Sequence, residues 1–380
     1  MSYPKMLPKQ QSPDLFRKHR KLHPMFSGML RSIVSGLLLM AMNLIFVNPA
    51  MSQDPQYSQF YAAPLYLNPA FAGSSQQGRL GLNYRNQWPS IDANFTTFSA
   101  FADFYLEDYN SGFGAIMTRD LANALGLQNT TFGLQYAYQL QLTKKISFRP
   151  GVQVAVNSRS LNYSKLIFGD QIDPVTGSIR PGTGENLSTG PTVIYPDLSF
   201  GGLFYSARGW LGVAGSHLTR PNQSLTGSED RLPTKFSAHA GWKFYLTPGT
   251  MGEGYSLKSQ ERSITPAFQY RHQGKFDQMD VGLYFTMEPL VIGMWYRGVP
   301  FKKINGIINN ESLVFSIGLI KKSGKNLNDI LNIGYSYDYT ISKLGPVSGG
   351  AHEVSLVYSW PIRNPRKPAK DKLIIPCPTF

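Results

Sequence analysis

Only one of the 380 residues is a cysteine, Cys377 near the chain end, so no internal disulfide can staple the fold. Histidines are nearly as scarce. After the leader only His217, His239, His272 and His352 occur, far apart, with no His-Glu-x-x-His and no pair at metal-ligand spacing. GSHL at 215–218 lacks the Gly-x-Ser-x-Gly frame of a nucleophile elbow. No catalytic residue, no metal and no cofactor is therefore expected. Helical periodicity is also missing beyond the leader, which excludes a helical bundle and a helical membrane protein. The basic balance is smaller than it looks. Of a formal +14, the first 52 residues carry +6, seven basic side chains against Asp14, leaving about +8 for the remainder. That does not point to nucleic acid.

What is present begins with a basic segment, an apolar run of 15 residues from Ile33 to Val47, and Ala50-Met51-Ser52 ahead of Gln53. Residues 1–52 read as a signal peptide with a long basic start, because a retained spanning helix needs roughly 20 apolar residues. Export is thus the first constraint on function.

From Gly78 onward the chain alternates with period two. Phe132, Leu134, Tyr136, Tyr138, Leu140 and Leu142 interleave with Thr131, Gly133, Gln135, Ala137, Gln139 and Gln141, and Leu331 to Ile341 repeats the pattern. Such segments predict fourteen strands, within a range of 12–16, near 78–86, 94–106, 111–119, 129–143, 146–159, 197–206, 209–219, 235–247, 264–273, 276–287, 290–298, 312–321, 329–341 and 351–361. Many run past the roughly five or six residues usual in soluble sheets, and a tilted membrane strand needs about nine to eleven. A soluble β-sandwich would also alternate. However, the polar faces here carry Gly, Ser, Thr, Gln and Asn instead of Lys and Glu, as a lumen wall does. Aromatics such as Tyr84, Trp88, Tyr105, Tyr205, Trp210, Trp242, Trp295 and Trp360 fall near strand ends, where a bilayer interface would hold them. The expectation is an all-β transmembrane antiparallel barrel over 78–361 in a bacterial outer membrane, in contact with its lipid. A tail over 362–380 follows in the periplasm.

Two regions stand apart from the strands. DPQYSQFYAAPLYLNPAFAG, within 53–77, has Pro55, Pro64 and Pro69 breaking any strand, yet is too aromatic for a solvated linker. Its aromatic side chains must therefore pack against something. The odd-numbered connections are predicted to face outward, because outer loops are the longer ones. The fifth, Ser160–Pro196, is the longest, whereas the long eighth connection and the short ninth break the pattern, as one misplaced strand would. Asp170 and Asp173 in FGDQIDPVTG are two carboxylates, too few for calcium's six to eight ligands, and read as turn formers. Arg79, Arg85, Arg149, Arg271 and Arg297 lie within strands and predict a positive lumen lining where they face inward.

Ser58-Gln59-Phe60, Asn68-Pro69-Ala70, Ala72-Gly73, FGDQIDPVTG and Cys377-Pro378 together resemble the PorP/SprF family of Bacteroidota outer-membrane proteins, over essentially Gln53 to Phe380. The resemblance implies a non-enzymatic component or partner of the type IX secretion system, which also serves gliding motility. Its implied partners are a secreted protein with a C-terminal sorting domain, held at the cell surface, and other components of that system, including periplasmic and outer-membrane lipoproteins. Asn68-Pro69-Ala70, together with the fourteen-strand count, also resembles the hatch of fatty-acid-transporter barrels. That resemblance implies that Pro55 to Gly73, with Ser58-Gln59-Phe60 inside it, folds from the periplasmic side into the barrel mouth as a plug that buries Tyr66 and Phe71, and it makes a porin-like or hydrophobic-solute channel the alternative. For docking, the loops offer Tyr163, Phe168, Asp170, Asp173, Tyr195, Arg231 and Phe301 as anchors.

Overall fold

The computed structural model describes residues 54–124, 126–163, 166–184, 192–225, 229–246, 261–304, 307–323, 329–362 and 374–377. The expected signal peptide at 1–52 lies outside them, as do most of the eighth connection and the chain end beyond Cys377.

Fourteen antiparallel strands close on themselves: β1 Gly78–Gln87, β2 Phe95–Leu106, β3 Ser111–Ala122, β4 Leu127–Tyr138, β5 Ser147–Leu161, β6 Thr192–Tyr205 and β7 Gly209–Ser216, followed by β8 Lys235–Trp242, β9 Arg262–Gln273, β10 Phe276–Met287, β11 Leu290–Ile304, β12 Ile307–Ser323, β13 Asp329–Thr340 and β14 Ala351–Trp360. Two strands are interrupted at one residue and then continue: β4 after Gln139 as Leu140–Gln141, and β8 after Lys243 as Phe244–Tyr245. Each strand pairs with its sequence neighbour. β1 pairs with β14 from Gly78↔Trp360 to Gln87↔Ala351, which leaves no edge.

Strand alternation sorts the side chains as the sequence predicts. In β1, Leu80, Leu82 and Tyr84 point outward while Arg79, Asn83 and Arg85 are buried. Phe98, Leu134, Val154, Leu283, Ile317 and Val354 extend the outward apolar surface, which is far larger than the apolar patches soluble monomers expose. It is the lipid-facing wall of an outer-membrane barrel. The inward face carries Ser99, Gln135, Asn157, Ser199, Thr265, Asn332 and Ser355, all buried.

Several expectations need correction. Trp210 and Trp295 are only 4 % exposed, and Tyr105 and Tyr205 are also buried. They sit at inward parity, so they pack in the lumen and do not belong to an interfacial belt; Tyr84 and Trp242 do face outward. β6 begins at Thr192, five residues early, because β5 runs to Leu161 and the ladder continues through Ser160↔Thr192. Pro196 forfeits one donor within that ladder without ending it. β11 and β12 extend to Ile304 and from Ile307, beyond the expected 298 and 312. All fourteen strands are present, so the irregular loop lengths do not come from a misplaced strand. Gln273 and Phe276 pair across Gly274-Lys275, where Gly274 takes φ +60, and the ninth connection is a tight turn. By the rule that outer loops are the longer ones, the end of the barrel bearing the 162–191 and 217–234 connections is the outer end.

Candidate functional site

Residues 54–73 run through the lumen from the outer end to the inner one. The prolines that forbid a strand instead start turns. Pro64 opens the one-turn helix α1, Pro64–Leu67, and Pro69 opens a 3-10 turn, Pro69–Phe71. Asn68 between them is extended, and its Oδ1 caps the second turn by accepting from the Ala70 amide at 2.9 Å. Its side-chain amide donates to the carbonyls of Gly202 in β6 and Val213 in β7, at 3.3 and 3.0 Å. Ala70 is fully buried against β5, where a Cβ on Gly151 would stand 2.5–2.6 Å from the Pro69-Ala70 backbone. Asn-Pro-Ala therefore works as a cap, a turn starter and a small residue fitted to a glycine recess.

Below this turn the segment is held by two arginines. Arg149 donates to the carbonyls of Ala70 and Ala72 at 3.2 and 2.5 Å. Asp103 accepts from the Gly73 amide at 2.7 Å and pairs with Arg79 at 2.8 Å. Gly73 then exits at φ +67 toward β1.

The middle is a buried ionic network around Ser58 and Gln59. The Glu353 carboxylate accepts from both backbone amides, at 2.7 and 3.0 Å. Ser58 Oγ donates to Asp338 at 2.6 Å, and Asp338 pairs with Arg85 and Arg297 at 2.8 and 2.9 Å. Arg297 also reaches Asp280 at 2.6 Å. Gln59, with no exposed surface, bonds Ser336, Ser355 and the Glu353 carbonyl. Buried charges demand this pairing, because an unpaired one costs several kcal/mol. The strand arginines thus form no positive lining; each of these meets an inward carboxylate or a plug carbonyl.

Beside the network lies an aromatic floor. Phe60 meets Trp295 edge-on at 4.8 Å, Tyr61 meets Trp210 at 5.5 Å and accepts from its indole N–H at 3.0 Å, and Phe71 stacks on His239 at 5.5 Å. Ile375 is buried in this same cluster and Cys377 packs against it. Burial pushes the Cys377 thiol up, although Lys243 and Arg79 oppose the shift. Ile375 and Cys377 therefore pack against the plug's aromatic cluster while Ile374 stays exposed, where the sequence predicts only a periplasmic tail over 362–380.

At the outer end Asp54 accepts from Lys235 and lies 2.8 Å from His217 Nε2, whose Nδ1 is 2.8 Å from Asp197. Burial disfavours the His217 cation, but the two carboxylates outweigh it and the imidazole is pushed up to about 9. Burial likewise raises Asp54, yet His217 and Lys235 prevail and hold it well below the usual carboxylate range.

The expected docking residues are dispersed. Phe168 packs edge-on against Tyr163 at 5.9 Å, and Asp170 and Asp173 shape the loop around them. Asp173 accepts from the Val175 and Thr176 amides and from Arg180, and these bonds lower it to about 2, with Arg180 contributing most. Asp170 accepts from the Gly184 amide and from Thr183, in that order of effect, and is also lowered. Both carboxylates are thus used in turns. Ile172 bridges Ile179, and Val175 at the tip is 91 % exposed. Arg231 pairs with Glu229 on the seventh connection, and Phe301 is 92 % exposed on the extension of β11. Tyr195 is the exception: it lies in β6 with 5 % exposure, away from any loop tip, since the strand starts early.

Sequence reasoning missed the carboxylates Asp103, Asp280, Asp338 and Glu353. Their inward parity beside inward arginines was the available signal. Among the described residues no group of three His, Cys, Asp or Glu side chains gathers as a metal site.

A family model described as type IX secretion system membrane protein PorP/SprF matches residues 40–358. Comparison with curated proteins found no match. Among solved structures the chain is similar to a Pseudomonas aeruginosa FadL homologue, at 12% identity over 77% of this chain and 91% of that one, with a TM-score of 0.37. It is also similar to the P. putida toluene transporter TodX, at 10% identity over 78% and 93%, TM-score 0.40. A third is the Acinetobacter baumannii outer membrane protein Omp33, at 6% over 76% and 100%, TM-score 0.34. Similarity at this level says nothing of what the chain binds.

Proposed function

The chain belongs to the PorP/SprF family of type IX secretion system membrane proteins, and from that premise we propose that it is a sealed, non-enzymatic outer-membrane barrel. In this reading its outer loops dock a secreted partner bearing the system's C-terminal sorting domain, and its periplasmic side meets other components of the system. One observation carries the reading. The segment 54–73 is bonded to walls all round the barrel, to Asp103 of β2, Arg149 of β5, Gly202 of β6, Arg297 of β11, Asp338 of β13 and Glu353 of β14. A lumen held shut through that many strands suits a platform better than a conduit, and the outward features left for function are the loops.

The fifth connection supplies the most developed surface, with Ile167, Ile172, Val175 and Ile179 exposed on a frame built by Asp170 and Asp173. Deleting residues 166–184 is expected to release the secreted partner into the medium while the barrel still assembles, as read by gel mobility of unheated samples. Full retention of every secreted protein would overturn the docking role. The alternative, a channel for small or hydrophobic solutes, requires the plug to leave; purified protein in planar bilayers is expected to be electrically silent.

A further inference from the structure

The lumen is not filled evenly. Between the plug and the outer rim lies a cavity of about 250 Å³ beside the β9–β10 turn, floored by Gln56, Tyr57, Phe60 and Tyr66. We infer that this vestibule receives a lysine or arginine side chain carried on a peptide segment of the docked partner, with Glu311 as the counter-charge. The inference rests on the docking function proposed above and specifies what the partner inserts.

Charge bookkeeping leads to it. In the network running from the barrel centre to this cavity, Arg85, Arg271 and Arg297 face Asp280, Asp338, Glu353 and Glu311, three guanidiniums against four carboxylates. The first three acids each take an arginine. Glu311, on β12 at the cavity wall, takes only the Gln56 side-chain amide, at 3.0 Å, and has no ion-pair partner among the described residues. Nearby charges do not make up the difference. Asp54 and Asp197 are matched by His217 and Lys235 and Asp277 by Lys302, and Lys275, an exposed residue that lines the outer part of the cavity, makes no ion pair with Glu311.

A second, independent feature points the same way. Gln269 lines the same cavity at 2 % exposure, and its Oε1 accepts no hydrogen bond. A buried amide oxygen without a donor costs free energy until one arrives. Glu311 and Gln269 are both acceptors, so the missing group is a donor and a cation. Arg271 Nε, also without a partner on this wall, donates and needs an acceptor. A free amine offers it none, whereas a peptide brings backbone carbonyls along with its basic side chain. The cavity is small and polar, sized for one side chain and a short stretch of backbone.

The test uses full-length protein in detergent and calorimetric titration with a lysine hexapeptide, a glutamate hexapeptide and spermidine. The lysine peptide is expected to bind, with affinity falling as salt rises. Glu311→Gln, which keeps a side chain able to bond Gln56, is expected to weaken it about tenfold, and Gln269→Met a few-fold. Gel mobility of unheated samples confirms that each variant is folded. No binding of the lysine peptide, equal binding of the glutamate peptide, or indifference to Glu311→Gln would each overturn the inference. Spermidine binding as tightly as the peptide would overturn the peptide component. In cells, partner retention by Glu311→Gln together with release by the 166–184 deletion removes the vestibule and leaves docking intact; retention in both removes docking instead.

Discussion

The plug and the fifth loop are both irregular segments broken by proline, yet they are held by opposite means. The bonds that tie the plug to the wall are remote in sequence: Gln59 to Glu353 spans 294 residues, Asn68 to Val213 spans 145, and Ala72 to Arg149 spans 77. The bonds within the described part of the loop are local, such as Asp173 to Arg180 across 7 residues and Asp170 to Gly184 across 14. The plug has thus become part of the wall, and any change in it is felt by the barrel. The loop is a self-contained turn whose surface can be altered without disturbing its support.

The sharpest way to break this contrast is to fill the recess under Asn-Pro-Ala. Gly151→Leu places atoms where the Pro69-Ala70 backbone lies, so the plug is expected to unseat while the outer wall of β5 stays intact. Planar-bilayer recordings should then change from silent to conducting. Next in size is Arg297→Leu, which strips Asp280 of its closest cation and Asp338 of one of two. Removing one partner of such a buried pair costs about 3–5 kcal/mol, to be read as a lower urea midpoint.

A smaller effect separates the two ends of the plug. The His217 imidazole is raised in the folded protein, so the stability it contributes is complete below its unfolded value of about 6.5 and is lost as pH rises through about 9. Asp54, depressed by the same contact, loses its contribution only in acid. Hydrogen exchange over residues 54–58, corrected for intrinsic rate, should therefore quicken above about pH 9, while residues 68–73 stay protected. His217→Gln should abolish the step. Least disruptive to the barrel is Asp173→Ala. It frees the Val175 and Thr176 amides and Arg180, and is expected to speed protease cleavage within 166–184 with no change in the urea midpoint.

Much of the wall was legible because membrane strands obey one rule, alternation, and Leu80-Gly81-Leu82-Asn83-Tyr84 states it outright. The plug was legible as a break in that rule. What escaped was everything decided by which strands become neighbours. Arg85 looks like an isolated charge until β13 and β14 bring Asp338 and Glu353 beside it. Trp210 and Trp295 look like interface anchors until parity turns them toward Phe60 and Tyr61. Tyr195 looks like a loop anchor as long as Pro196 marks the strand's start, but the ladder continues through Pro196 to Thr192. Ile375 and Cys377 sit in a short apolar run, Leu373 to Cys377, that has no alternation and so does not say which surface it covers.

The pairing of Ser58 and Gln59 with Glu353 also orders events in time. These plug residues precede the first strand, and their partner sits in the last, so the middle anchor cannot form until all fourteen strands are made and β14 reaches β1. Until then Arg85 lacks both its carboxylates. Contacts so distant along the chain form late and slowly. Closing the seam and completing the plug's middle anchor are therefore one step, and a barrel that stalls before it is an incompletely neutralised intermediate.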